Sequence, residues 1–458
     1  MARSADLTCF KSYDIRGELN KNFDVKICYK IARAFASFQR AERVVVGRDA
    51  RESSPVLLDS ICDGLMKQGV EVLDIGLAGT EEMYWATTEY NASGGIEVTA
   101  SHNPINFNGI KLVKYGSKPI SESELLAIKK IVEHDLFDES QANGSRVDIA
   151  TEARQKYVRK VLSFVNVSKF RALKVVVNSG NGAAGPTFDA VASALFKVNS
   201  KVSFERMHHV VDSSFPNGIP NPILKEMHLQ NSIKICETKA DLGIAFDGDF
   251  DRCFFFDEQG DFVPGEYIVG LLATIFLEKE AGATIVHDPR AVWNIRDIVA
   301  GNGGKSKLSL TGHAFVKRTM RDSKAVYGGE MSAHHYFRDF SYCDSGMIPW
   351  LLILQFMSDN QKTLSELVSE QRIKFPSSGE INFQIKNIDE SIKKVTRFYE
   401  KKCKLKEEFD GLSFSFDNWR FNLRRSNTEP LVRLNVESRG DSALVNQKVK
   451  EIENLLYS

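Results

Sequence analysis

The sequence carries no surplus of charge: Lys and Arg number 60, and so do Asp and Glu. That balance excludes a net field able to gather nucleic acid or acidic membrane, so an anionic ligand has to be held by local clusters. Cysteine is sparse and unpatterned, at 9, 28, 62, 236, 253, 343 and 403, with no C-x-x-C pair. An odd count without framework spacing excludes a disulfide scaffold and argues for free thiols in a reducing cytoplasm. The opening residues, M-A-R-S-A-D-L-T-C-F-K, lack the apolar stretch of a signal peptide. The longest apolar runs, near 268–277 and 347–357, fall short of the roughly 20 residues a membrane span needs and read as core helices. The expectation is a soluble, cytoplasmic protein with no nucleic-acid and no membrane partner.

What is present is alternation. Apolar runs of strand length alternate with amphipathic patterns: strand 43–49, helix 55–68, strands 70–76 and 95–101, then 173–178, 241–247 and 284–288. This is the grammar of α/β layers with largely parallel sheets, in which ligands gather beyond the carboxyl ends of the strands. The polar stretch 138–152 reads as a linker, and S-S-F-P-N-G-I-P-N-P (213–222) as a rigid surface loop. Beyond about 372 the grammar changes to strand 380–386, helix 389–403, strands 412–416, 419–424 and 431–437, and a closing helix. The length admits three or four domains. The expected boundaries are 1–150, 151–255 and 256–371 for three α/β modules with mixed sheets, and 372–458 for a smaller α+β domain.

Four motifs could carry chemistry. D-G-D-F-D-R (247–252) follows an apolar strand. Its aspartates Asp247, Asp249 and Asp251, at alternate positions of an extended loop, can converge on one hard cation such as magnesium. Gly248 permits a tight turn, and Arg252 can pair with an anion sharing the site; a solvated acidic turn is the plainer reading. In T-A-S-H-N-P (99–104), Ser101 and His102 end a strand. Neighbours there point to different sides, so this is no catalytic triad. The serine is either a turn residue or a covalent phosphate carrier beside the cation, with Lys111 to neutralise the phosphoryl charge. R-R-S-N-T-E-P (424–430) offers Arg424, Ser426, Asn427 and Thr428 as a phosphate cradle, or an ordinary hairpin turn. G-G-E-M-S-A-H-H (328–335) puts Glu330, Ser332 and His334 at alternate positions, where they could face one way toward sugar hydroxyls; His335 reads as structural. A rival comes from S-G-N-G-A-A-G (179–185), whose Gly180, Gly182 and Gly185 follow a strand, with Glu205 beyond: a dinucleotide-binding pattern.

With F-K-S-Y-D-I-R-G (10–17) added, these motifs, in this order over the whole chain, resemble the α-D-phosphohexomutases, and within them the bacterial enzymes that supply GDP-mannose. The resemblance implies four domains around a central cleft, with the glycine motif as a structural turn. It implies Ser101 as a phosphoserine that also touches the metal, with Asp247, Asp249 and Asp251 as ligands of Mg2+. His102 and Arg252 would share that site, Lys111 and His334 would assist acid–base steps, and Arg16 and Tyr13 would belong to the first domain's part of the active site. Glu330 and Ser332 would hold the sugar, with Arg290 and His313 near the substrate, and Arg424, Ser426, Asn427 and Thr428 would bind phosphate. The implied reaction interconverts mannose 6-phosphate and mannose 1-phosphate through a hexose 1,6-bisphosphate, which also serves as activator; the partners are small hexose phosphates. Phe250 stands where many members have glycine, and Met331 argues against the glucosamine branch. Glucose and mannose phosphates differ only at C2, so an enzyme of dual specificity is the nearest alternative. A phosphatase, a dinucleotide-dependent oxidoreductase and a silent sugar-phosphate-binding module are the remaining ones.

Overall fold

The computed structural model describes residues 6–138, 143–199, 201–425 and 431–458. The chain forms two compact units, one of residues 1–262 with 334–361 and one of 263–333 with 362–458.

The first unit contains two α/β layers. In one, the strands lie in the order Ile15–Glu18, Phe107–Lys114, Gly94–Val98, Arg43–Arg48, Glu71–Leu77, Ser145–Asp148, with the short Lys118–Pro119 paired to Phe107–Lys114. The last four run parallel, and Phe107–Lys114 is antiparallel to both its neighbours. Helix Val25–Gln39 starts where Asp24 accepts from the Ile27 amide at 2.8 Å, one orphan donor satisfied by a side-chain cap. It buries Ile27, Ile31 and Phe35 against the sheet residues Val44, Val46 and Ile96; each such side chain contributes roughly 2 kcal/mol by leaving water. The second layer orders Val202–Met207, Leu173–Asn178, Leu242–Phe246 and Cys253–Phe256, the last pair antiparallel. The hairpin His335–Phe337 with Cys343–Asp344 and the apolar helix Met347–Asn360 complete the unit.

In the second unit Lys305–Leu308, Thr284–His287 and Tyr327–Gly329 are parallel neighbours, flanked by helices that include Gly265–Lys279 and His313–Ser323. Its other sheet is wholly antiparallel, in the order Ile381–Gln384, Leu431–Ser438, Trp419–Arg425, Leu412–Ser415, Leu405–Glu408. Helices Ile388–Tyr399 and Ser442–Tyr457 supply Val395, Tyr399 and Ile452 to a core that the sheet completes with Phe383, Phe421 and Val436.

Two expectations are corrected. Residues 145–148, expected within a linker, form a parallel strand on Glu71–Leu77. The strand expected over 95–101 stops at Val98, because Ser101 takes a left-handed φ of 49°. No helix among the described residues is long and apolar enough to cross a membrane.

Candidate phosphoryl-transfer and sugar-phosphate sites

In the first unit, the residues just past Val98 are shaped by backbone contacts. Ser101 is 5% exposed and left-handed, a conformation that costs a non-glycine residue about 1 kcal/mol or more. The cost is offset by fixed partners: its amide donates to Thr99 Oγ1 at 2.8 Å, and its carbonyl accepts from Arg51 Nη2 at 3.0 Å. The buried Arg51 guanidinium also donates to the carbonyls of Asn103, Pro104 and Phe107. Asp49 holds Arg51 in turn at 3.4 Å. One arginine thus sets the course of the whole loop after the strand. Ser101 Oγ, so placed, donates to Asp247 Oδ2 at 2.9 Å.

The acidic loop 247–252 closes the hairpin whose last pair is Phe246 and Cys253. Ligand atoms of Asp247, Asp249 and Asp251 all lie within 4.8 Å of one another. Gly248 is needed here for closeness rather than for its turn: a Cβ would stand 2.4 Å from the Ser101 carbonyl oxygen. Phe250 takes the positive φ, 44°, and is fully buried, its ring against Gly79. Lys111 Nζ donates to Asp249 Oδ2 at 2.7 Å and to Asp251 Oδ2 at 2.6 Å. Thr80 Oγ1 donates to the same Asp249 oxygen at 2.6 Å. Arg252 Nη2 lies 2.7 Å from Asp247 Oδ2 and also donates to His102 Nδ1. Three carboxylates face two cations, and the buried Asp249 Oδ1 and Asp251 Oδ1 have no hydrogen-bond partner among the described residues. A net negative cluster with two spare hard oxygens fits a divalent metal.

Electrostatics follow from burial. Burial pushes the Asp249 carboxyl up, but the ammonium of Lys111 and its hydrogen bond outweigh it, so the net shift is downward. Burial and then the neighbouring Asp249 charge push Asp251 upward. Burial lowers Lys111, yet Asp249 and Asp251 more than reverse it, so the lysine is held charged. Burial, then Arg252 and Arg16, depress His102 well below the usual histidine range; it is neutral and accepts the Arg252 proton donor. Arg16 donates to Asn103 Oδ1 at 2.6 Å and to Asp14 at 2.9 Å. Tyr13 is half-buried in the bend just before that strand. His334 pairs by an isolated bridge with Arg252, and its Nδ1 lies 2.9 Å from Asp344 Oδ2 and 3.9 Å from Asp251 Oδ1. A ring nitrogen that close to a carboxylate donates to it, which leaves Nε2 as the basic atom in the neutral ring.

In the second unit a separate cluster forms around Arg290, which is 3% exposed. Its Nη2 reaches Asp288 Oδ2 at 2.6 Å, Ser332 Oγ at 3.2 Å and Glu330 Oε1 at 3.8 Å, and its Nη1 reaches Glu380 Oε2 at 3.3 Å. Arg424 donates to the same Glu380 oxygen at 2.9 Å, and Arg433 to the other at 3.2 Å. Glu330 also accepts from the Gly312 amide at 2.9 Å, next to His313 at the start of its helix. Residues 330–333 form a turn with Ala333 at φ 70°, not an extended strand. The expected alternation of Glu330, Ser332 and His334 therefore fails, although the first two do share Arg290. Ser426, Asn427 and Thr428 lie outside the described residues.

The glycine motif is accounted for by packing. A Cβ at Gly185 would stand 2.2 Å from the His209 carbonyl oxygen, one at Gly180 2.3 Å from the Pro220 ring, and one at Gly182 3.0 Å from the Gly248 carbonyl oxygen. The Ala183 amide donates to that same Gly248 oxygen at 3.4 Å. Protein fills the space a pyrophosphate would need, and the turn supports the acidic loop. Sequence reasoning missed Arg51, Thr80, Asp288, Asp344, Glu380 and Arg433. Only the first had a local signal, the G-R-D-A-R turn at the end of strand Arg43–Arg48.

Comparison with known proteins places these residues among relatives. Models of phosphoglucomutase/phosphomannomutase alpha/beta/alpha domains I, II and III match residues 8–139, 155–260 and 264–375, and the model of that family's C-terminal domain matches 380–455. A phosphomannomutase of Escherichia coli is 50% identical over 454 residues, covering 98% of this chain and 99% of that protein. A phosphomannomutase of Vibrio cholerae is 49% identical over 460 residues, 98% of each. Among solved structures, a phosphoglucomutase/phosphomannomutase family protein of Burkholderia thailandensis superposes with a TM-score of 0.83 at 28% identity, over 98% of this chain and 97% of that one.

Proposed function

The chain belongs to the phosphoglucomutase/phosphomannomutase family, and from that premise we propose that it interconverts mannose 6-phosphate and mannose 1-phosphate, supplying GDP-mannose synthesis in the cytoplasm. The observation that carries the reading is Ser101 Oγ, held at 2.9 Å on a carboxylate of the three-aspartate loop, in a chain half identical to a phosphomannomutase throughout its length. The reading takes the chain as four domains, bounded near 150, 255 and 371.

Ser101 is the phosphoryl carrier. Asp247, Asp249 and Asp251 would hold Mg2+, which when bound neutralises charge on the transferring phosphoryl group. The free hydroxyl of the sugar phosphate attacks phosphorus, the bond to Ser101 Oγ breaks, and a hexose 1,6-bisphosphate results. Nε2 of His334, oriented through Asp344, takes the hydroxyl proton. Lys111 and Arg252 offset the charge that builds on the oxygens of the group in transfer. His102, kept neutral, positions Arg252, and Arg16 fixes Asn103 beside the carrier. Glu330 and Ser332 take ring hydroxyls, and Tyr13 and His313 contact the sugar phosphate. Arg290 and Arg424, with Ser426, Asn427 and Thr428, bind the phosphate that is not reacting. Ser101 Oγ, freed by the first transfer, then attacks the other phosphorus of the turned intermediate, the bond from that phosphorus to the sugar oxygen breaks, and His334 returns its proton to the sugar hydroxyl so released; added bisphosphate restores any carrier lost to water.

The test is mutase flux on mannose 1-phosphate and glucose 1-phosphate, with magnesium and a trace of hexose bisphosphate. Faster turnover of the mannose ester supports the reading. Equal rates make the enzyme one of dual specificity; release of inorganic phosphate in place of isomer makes it a phosphatase. Ser101→Ala should abolish turnover while sugar-phosphate binding persists, and retained turnover would remove the carrier role.

A further inference from the structure

Arg424 and Arg433 are directly opposed partners on the antiparallel strands Trp419–Arg425 and Leu431–Ser438. Like charges so placed repel and destabilise a sheet, a cost that an anion lying between them offsets. Here that anion is Glu380. One of its oxygens accepts from Arg433 at 3.2 Å, and the other takes Arg424 at 2.9 Å and Arg290 at 3.3 Å. Its side chain is 13% exposed, and it sits one residue ahead of the edge strand Ile381–Gln384. Burial pushes the Glu380 carboxyl up, and the three guanidiniums bring it below the ordinary range. The cluster balances: Arg290, Arg424 and Arg433 against Asp288, Glu330 and Glu380.

We propose that Glu380 is a built-in stand-in for the substrate's phosphate, occupying the arginines that bind it and yielding them on its arrival. A planar carboxylate with two oxygens on a fan of guanidinium donors presents the same acceptors as a phosphate edge. Phosphate binding is then an exchange of anions, and release is assisted because the carboxylate waits beside the arginines it gave up. This rests on the mutase reading above, in which the bisphosphate must let go of its phosphate grip to be rebound by its other end. Arginines with no internal counter-ion would hold a dianion too long. Glu380 does not touch the reacting atoms; it is a positioning residue that sets how firmly phosphate is held.

The consequence has the opposite sign to a structural role. If Glu380 merely ordered the arginines, its loss would weaken phosphate binding. If it competes with phosphate, Glu380→Gln leaves the cluster one charge more positive and should bind tighter. Mannose 1-phosphate and inorganic phosphate are the probes, titrated calorimetrically into the full-length wild-type and E380Q proteins, with steady-state turnover measured in parallel. The expected result is a Kd lower on the order of tenfold for both probes, a lower KM, and a kcat that falls because release slows. An unchanged or higher Kd in E380Q overturns the proposal. Should E380Q fail to fold, Glu380→Asp, which keeps the charge but shortens its reach, should shift the Kd the same way by a smaller factor; weaker or unchanged binding there overturns it equally. A wild-type protein that binds hexose phosphate without mutase flux would count against the functional reading instead, while the sign of the E380Q shift still decides the exchange.

Discussion

Phe250 shows two residue-level costs in competition. Its φ of 44° would be relieved by glycine, a gain of roughly 1 kcal/mol, but its buried ring fills the space over Gly79, where a Cβ would stand 2.3 Å from a ring carbon. Emptying such a site costs about 3–5 kcal/mol. Packing wins, so Phe250→Gly should lower stability by about 2–4 kcal/mol in a urea titration, even though glycine suits the backbone. Glu97 presents a different balance. It is fully buried opposite Lys111, with neither oxygen hydrogen-bonded among the described residues, and Gly47 leaves the space it occupies. Burial first, then the charges of Asp49 and Asp249, raise its carboxyl well above the usual range. The native state therefore keeps a proton that the unfolded chain loses above about pH 4.3, and stability falls as pH rises from there toward the raised native pKa. Glu97→Gln should be near neutral at pH 4 and increasingly stabilising toward pH 8, read as the difference in melting temperature across that range. A constant difference would mean that Glu97 is ionised in the native protein.

At the scale of elements, the loop that presents Ser101 is held by one guanidinium rather than by its own side chains. Arg51→Met strips donors from the four carbonyls Arg51 serves and leaves Asp49 without its cation. The variant should lose about 3–5 kcal/mol of stability. Phosphorylation of Ser101 by hexose bisphosphate, followed by intact-mass spectrometry, should fall at least 100-fold. Retained phosphorylation would mean that the loop holds its course without Arg51. Elements with a buried face were legible in the sequence: Leu173–Asn178 is where its valines put it, and Ser54–Lys67 and Thr284–His287 lie within a residue of expectation. Those without one were not. Ser145–Asp148 is exposed along its length and Leu405–Glu408 nearly so, and an edge strand paired on one side needs no apolar alternation to betray it. The turn at Ala333 was hidden for a related reason: alternating residue types mimic a strand whatever the backbone does. The clustering of the three aspartates could be read because they are local in sequence; Glu380, Arg433 and Asp344 could not, because their partners lie far off in sequence.

For the whole molecule, one pH signature comes from histidines kept neutral in the interior. Burial pushes His287 down to about 4 and His335 down to about 3. The unfolded chain takes up these protons near pH 6.5 and the native one does not, so stability is full above that and is lost as pH falls toward those values. Between pH 6.5 and pH 4 the urea midpoint should fall less, or rise more, in His287→Gln than in the wild type, because the raised carboxyl of Glu97 acts in the opposite sense. An identical slope in that variant would assign the acid sensitivity to other groups. The T-A-S-H-N-P and D-G-D-F-D-R motifs were legible because each follows a strand, Gly94–Val98 and Leu242–Phe246, where an α/β layer delivers its chemistry; the charge balance around Arg290 emerges only once distant segments are folded together.

The first unit draws on two stretches of chain, 1–262 and 334–361, and this bears on how the protein is made. A ribosome releases Ser101 and the three aspartates long before His334 and Asp344, and before the Gly346 and Met347 amides that donate to Oε1 of the buried Glu81 at 3.1 Å. A nascent chain paused between residues 252 and 334 thus carries Ser101 and the acidic loop but lacks His334 and Asp344. Ser101 is made early; the unit that holds it is completed only when translation has passed residue 361.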